Sequence, residues 1–244
     1  MSRRTKWIIG AGAVVAAAAA FVVLFVLGGA DDPVSLEEAV GAVTGEGTPT
    51  APQPPDTAAT GSPAAGGAGL DGTWTLADGL DSFVGYRVQE DLDPIGSSTA
   101  SGRTRAVVAS LEIEGSTITS VTVDADVSQL ESDRSNRDRA LRSRGLESST
   151  FPQAVFELTA PIELAAVPAE GEEVTTSASG ELTAHGVTQP VTASIQAQLQ
   201  EGVIAVVGTI DINLSDFDIS GLTGFAVLSV EDAGQIEFQL LFSR

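Results

Sequence analysis

The chain of 244 residues contains no cysteine, one histidine, one tyrosine and one methionine. Without cysteine there can be no disulfide, no thiolate nucleophile, no cysteine-ligated metal and no lipobox-type lipid anchor. A lone His185 closes the usual His/Cys zinc sites as well. Positive charge is scarce too, with 12 Lys+Arg against 33 Asp+Glu. Three of the 12 (Arg3, Arg4 and Lys6) precede residue 7, which leaves nine against every acid, a formal −24 for the remainder. So acidic a chain lacks the basic footprint that holds nucleic-acid phosphates, and no nucleic-acid partner is expected. Also missing are a Gly-x-Ser-x-Gly elbow, a phosphate-binding Walker loop, a dinucleotide fingerprint and a His-Glu-x-x-His pair. The residues imply neither metal nor cofactor, and they favour a binding protein over an enzyme.

What is present falls into three stretches. Residues 7–27 are an uncharged, almost wholly apolar run of 21, about 30 Å as a helix and enough to span a bilayer core. The basic residues before it and Asp31 and Asp32 after it predict a cytoplasmic N-terminus (residues 1–6) and an exported remainder. A cleaved signal peptide competes with the uncleaved anchor, because Gly28-Gly29-Ala30 offers small residues for cleavage. The run exceeds the roughly 7–15 residues usual for a signal core.

Residues 28–69 read as a flexible extracytoplasmic linker. Leu36, Ala39, Val40 and Val43 fall at helical spacing, so a short helix over 34–43 is possible. Residues 44–69 are Pro-, Gly-, Ala- and Thr-rich with little to bury. A linker of about 40 residues spans roughly 35 Å.

Residues 70–244 alternate with period two. Val84, Tyr86 and Val88 share one face; so do Val121, Val123, Ala125 and Val127. The longest series are Val191, Ala193, Ile195, Ala197 and Leu199, and Ile236, Phe238, Leu240 and Phe242. Such alternation predicts antiparallel strands with one buried and one wet face. Turn signals such as Glu114-Gly115, Glu170-Gly171, His185-Gly186, Glu201-Gly202 and Ala233-Gly234 separate about eight strands. The exception is residues 131–146, polar and helix-compatible, with Ser132 or Asp133 placed to cap a helix. A long sheet with one short helix must close into a barrel or fold into a sandwich.

Two features of this stretch could carry function. Arg134, Arg137, Arg139, Arg142 and Arg144 lie within eleven positions, and as a helix Arg134, Arg137 and Arg144 share a side with Leu141. They could meet lipid headgroups, or pair with Asp133, Asp138 and Glu147. The inward faces mix bulky side chains with small ones (Ala125, Ala193, Ala197), and an eight-stranded barrel can be filled or hold one ligand. His185, in a turn with no acid placed beside it by the sequence, reads as structural.

Several segments in order resemble the YceI family of extracytoplasmic, lipocalin-like barrels that hold isoprenoid lipids. They are Gly72-Thr73-Trp74-Thr75-Leu76 with Ser82-Phe83-Val84-Gly85-Tyr86; residues 117–130; Arg137-Asp138 with Leu141, Phe151-Pro152 and Phe156; Leu182-Thr183-Ala184-His185-Gly186-Val187-Thr188; and Val227-Leu228-Ser229-Val230-Glu231-Asp232 with Glu237-Phe238. The resemblance implies an all-β, eight-stranded antiparallel barrel with an isoprenoid-like apolar ligand in its lumen and His185 shaping a turn. Leu214 and Asp218 depart from the arginine and glycine that many relatives carry there. Candidate cavity-lining residues are Phe83, Tyr86, Val123, Phe156, Ile195, Ile204 and Phe238; candidate headgroup or membrane contacts are Arg137, Arg142 and Arg144. The expected whole is a single-pass membrane protein with an extracytoplasmic lipid-binding barrel. The alternative is a cell-envelope interaction module with a filled core.

Overall fold

The computed structural model describes residues 32–45, 69–223 and 227–244. The apolar run 7–27 expected to span a membrane, and residues 46–68 of the expected linker, lie outside the described residues. Among the described residues no helix is long and apolar enough to cross a membrane.

Twelve strand segments make up the sheet. They are β1 (Gly72–Leu76), β2 (Phe83–Leu92), β3 (Gly96–Thr104), β4 (Val107–Glu114), β5 (Thr117–Asp126), β6 (Glu131–Ser132), β7 (Gln153–Leu158), β8 (Ile162–Glu163), β9 (Glu173–Ala184), β10 (Val187–Gln200), β11 (Val203–Asn213) and β12 (Val227–Ser243). The pairing registers reduce these to eight staves. β1 and β2 pair with successive parts of β12, from Thr75↔Ser243 to Leu92↔Val227. On their other side they meet β4 and then β3 in unbroken order. β5 continues as β6, since Val107↔Ala125 is followed by Arg103↔Glu131. β7 continues as β8 along β5. Each stave pairs antiparallel with the next in sequence, and β12 returns to β1 and β2. The ring is therefore a closed up-and-down barrel with its backbone groups paired around the circumference.

Among the described residues two short α-helices, not one, accompany the barrel. α1 (Leu36–Thr44) lies inside the stretch expected to be flexible linker. Ser35 caps it by accepting from the Glu38 N–H at 3.3 Å, and left-handed Gly45 ends it. Leu36 and Ala39 are buried against Ala205, Val207 and Leu241 on the outer wall of β11 and β12. The helical spacing thus marks a face with a partner, and residues 28–69 are not a uniform tether. α2 (Ser135–Ser143) is the helix expected within 131–146. Neither expected residue caps it: Arg134 holds the N-cap position without a side-chain bond. Ser132 instead donates to Asp138 at 2.6 Å, and its own N–H also bonds Asp138.

The outer wall beside α1 carries a buried carboxylate. Glu237, with a side chain 1% exposed, accepts from Arg103 at 3.0 Å and from Arg87 at 3.3 Å. Arg103 also stacks 4.3 Å above the Phe83 ring and donates to the Asp32 carbonyl just ahead of α1. Every described apolar cluster draws on residues 34–242, so a chain beginning at residue 32 contains all of these contacts. Removing one partner of a buried ion pair costs about 3–5 kcal/mol. Glu237→Ala is accordingly expected to destabilise the fold by about 3 kcal/mol, read as a lowered midpoint in chemical denaturation; an unchanged midpoint would refute the assignment.

Candidate functional site

Alternation directs one side chain in two into the barrel, and the four alternating series line the lumen as expected, except that Val191 lines neither chamber and packs against the apolar clusters instead. The lumen has two consecutive lengths. A narrow chamber of about 170 Å³ is walled almost throughout by apolar side chains. A wider one of about 520 Å³ lies under α2. Val84, Ala154 and Ile236 line both, so the two adjoin.

An eight-stranded ring is just wide enough for ordinary side chains to fill it. Two devices keep this one open. The first is small residues on inward positions, among them Ala125, Ala154, Ala178, Ala193 and Ala197. The second is the way the aromatic rings lie. Phe238 stands directly across from Gly208, and a Cβ on that glycine would come within 2.5 Å of the ring. A Cβ on Gly180 would come within 2.4 Å of Phe156. Across from Tyr86, a Cβ on Gly102 would approach its ring to 2.8 Å. Each ring therefore lies flat against a neighbouring strand and leaves the centre clear.

Of the candidate lining residues, Val123, Phe156, Ile195, Ile204 and Phe238 line the narrow chamber and Tyr86 the wider one. Phe83 does not. It is three positions from Tyr86, hence on the opposite face of β2, and it is covered by Arg103 on the outer wall. The parity of Gly85 and Arg87 carried that signal in the sequence.

α2 lies across the wider chamber. Arg134, Arg137 and Arg144 line it together with Leu141, the side that helical spacing predicted. Arg142 does not reach the chamber; its Nε donates to the Ser128 carbonyl at 3.2 Å. Arg137 is the inward one, its side chain 14% exposed, donating to Glu90 at 2.5 Å and to Asp133. Burial works against its charge, but the Glu90 carboxylate leads a set of groups that raise its pKa on balance. Glu90 was missed in the sequence, although extending the Val84, Tyr86, Val88 series by one step points it inward. Near them stands Tyr86, whose phenol is pushed far above its ordinary value chiefly by burial.

His185 lines neither chamber. Its Nδ1 donates to the Phe217 carbonyl at 2.9 Å, its Nε2 lies 3.3 Å from Glu147, and Phe151 packs edge-on at 4.7 Å. An acid does stand beside it, brought by a loop distant in sequence, and the cluster ties the β9–β10 turn to two neighbouring loops. At the departure noted above, Leu214 lines the wider chamber, and Asp218 adopts the left-handed backbone (φ 56°) that a glycine would take. Asp tolerates that region better than most residues.

The family model described as the YceI-like domain matches residues 74–242. No curated protein matches the chain. Among solved structures, it is similar to a polyisoprenoid-binding domain from Saccharophagus degradans implicated in plant cell wall breakdown. That match has 18% identity and a TM-score of 0.56, covering 70% of this chain and 97% of that one. It is also similar to BcnA from Burkholderia cenocepacia, at 20% identity and a TM-score of 0.51, covering 67% of this chain and 96% of that one. At these identities the structural likeness concerns the fold.

The glycine–aromatic arrangement makes a testable demand. At Gly208 an added methyl would also come within 2.4 Å of the Ser194 carbonyl, a backbone atom with little room to move. Gly208→Ala is expected to destabilise the barrel by about 1–3 kcal/mol, measured by chemical denaturation, although alanine is the better residue for a strand on conformational entropy alone. A stabilised variant would show that the ring is not held there.

Proposed function

The chain belongs to the YceI-like domain family, and from that membership we propose that it is a membrane-tethered extracytoplasmic protein that holds an isoprenoid-type lipid, polyprenyl or quinone-like, in its barrel. The observation that carries this reading is the pair of adjoining chambers in the lumen, apolar in the narrow one and polar under α2. A long hydrocarbon chain suits the first and an oxygen-bearing end the second. Apolar burial supplies the driving force, at about 25 cal/mol per Å² before the cost of ordering the chain. The Saccharophagus degradans domain, described as polyisoprenoid-binding, supports the same ligand class. The protein carries lipid and performs no chemical step on it. Residues 7–27 form the anchor, residues 1–6 remain cytoplasmic, and the barrel sequesters or hands over lipid at that membrane.

Native mass spectrometry of residues 32–244, purified without detergent, is expected to show a stoichiometric apolar adduct that organic extraction identifies as isoprenoid. Ile195→Glu, which puts a charge in the narrow chamber, should abolish that adduct while circular dichroism shows the barrel intact. A wild-type barrel that stays bare after incubation with isoprenoids and quinones would sink the carrier reading and favour the interaction module.

Because the chain has no cysteine, topology can be read with single introduced ones. Ser97→Cys, on β3, should react with a membrane-impermeant maleimide in intact cells, and Ser2→Cys should react after lysis alone. The reverse pattern would overturn the orientation.

A further inference from the structure

The junctions of the ring are paired over unequal lengths. Where β7 and β8 meet β9, only the part next to the wider chamber carries a ladder, from Val155↔Thr183 to Leu158↔Gly180. It ends at Ser179, whose carbonyl accepts from the Thr159 N–H at 3.0 Å and from the Thr159 hydroxyl at 3.1 Å. Beyond that point β8 follows β5, and among the described residues no strand pairs with residues 173–178 on that side. In an antiparallel strand alternate residues turn their backbone groups to the same neighbour. Ser177, Thr175 and Glu173 therefore face this gap, as Ser179 does.

The chain itself ends the ladder. Thr122↔Glu157 is followed along β5 by Ile118↔Ile162, so the β7–β8 stave spends one more residue than β5 over the same length. Such a bulge bends a strand away from its partner. Pro161 falls within it and has no N–H to donate.

The two lips of the gap are fastened to opposite sides. Leu164 donates its N–H to the Ser116 carbonyl at 2.9 Å and the Thr117 hydroxyl donates to Glu163 at 2.9 Å, which hold the first lip on β5. Gly171 donates its N–H to the Leu199 carbonyl and Glu201 donates its own to the Glu170 carboxylate, each at 2.8 Å, which hold the second on the β10–β11 hairpin. Residues 165–168 join the lips and, among the described residues, hydrogen-bond to neither. The narrow chamber is lined by Ile162 and Leu164 from the first lip, by Val174 and Thr176 from the second, and by Pro168 from the join. Val167, beside Pro168, is 47% exposed. Side chains, not a backbone ladder, close the chamber here.

We propose that the β8–β9 gap is a lateral portal through which an apolar, isoprenoid-type chain enters and leaves the narrow chamber, an inference that rests on the lumen reading above. Parting the lips separates side chains and breaks no strand ladder, so the ring keeps its width while the chain slides in from the side. Loading in this way also spares a polar end the passage through an apolar chamber, which would strip it of water. Leu164 and Pro168 form the movable edge.

Cross-linking tests the portal, because the chain has no cysteine to compete. Continuing the register from Leu158↔Gly180 sets Glu163 opposite Thr175, both exposed. In residues 32–244 loaded with geranylgeraniol, Glu163→Cys and Thr175→Cys are joined by a short bismaleimide. Ser194→Cys with Thr209→Cys, opposite one another on the continuously paired β10–β11 junction, is the control. Exchange of the bound alcohol for its deuterated form is followed by native mass spectrometry. Joining the gap is expected to slow exchange about tenfold with the bound fraction unchanged, and the control link to leave the rate as it was. Leu164→Ala gives a second measure that needs no link: association and dissociation should quicken together. Exchange at the unlinked rate after complete linkage would overturn the portal, as would a Leu164→Ala variant in which dissociation alone quickens, the mark of a lost contact. If the unlinked barrel takes up no geranylgeraniol, the lumen reading falls and the portal with it; uptake with exchange indifferent to the link sinks the portal alone.

Discussion

Closing eight antiparallel staves into a ring leaves little spare width, and everything else in this protein follows from how that width is used. The backbone is paired around the circumference, so the wall cannot expand to admit a guest. Space has to come from the side chains. Alanines supply part of it by being small. The aromatics supply the rest by lying along the wall, each over a glycine that presents no Cβ. Bulk and vacancy are therefore not opposites here. Phe156 and Phe238 seal the wall and add apolar surface to the lumen while leaving its axis clear.

The same alternation sorts the scarce cations. On β2, Arg87 turns outward to the buried carboxylate of Glu237, while Tyr86 and Glu90 turn inward towards α2. Two polar clusters of opposite purpose thus share one strand, separated by the thickness of a sheet. The outer one ties together β2, β3, β12 and the chain ahead of α1. The inner one places the lumen's polar end under a helix. In so acidic a chain, arginines that stand where two elements must be joined are met by carboxylates.

Local regularities were legible in the sequence, and long-range ones were not. Alternation from Val191 to Leu199 and from Ile236 to Phe242 announced inward faces because the period of a strand is a property of neighbouring residues. The shared side of Arg134, Arg137, Leu141 and Arg144 was legible for the same reason. Phe83 has the residue type of a lining side chain but the outward parity of β2, and the inward Glu90 is hidden because a carboxylate inside a barrel needs a partner that is 47 positions away. The division of four staves into paired segments was hidden, since short breaks read as ends. Nor could the glycine–aromatic pairs be seen, because register between strands is set by the closed ring.

α1 changes the mechanics of the proposed attachment. Were the barrel hung on all of residues 28–69, it would drift over tens of ångströms from the bilayer. Among the described residues its first apolar contact is instead at Val34, seven residues after residue 27. An extended chain covers at most about 3.6 Å per residue, so the leash is no longer than about 25 Å. If residues 7–27 anchor the chain as proposed, the encounter between barrel and bilayer at that radius would be intramolecular, governed by an effective concentration set by the leash and independent of how many copies the cell makes. Residues 46–68 come after that helix in sequence and so contribute nothing to reach.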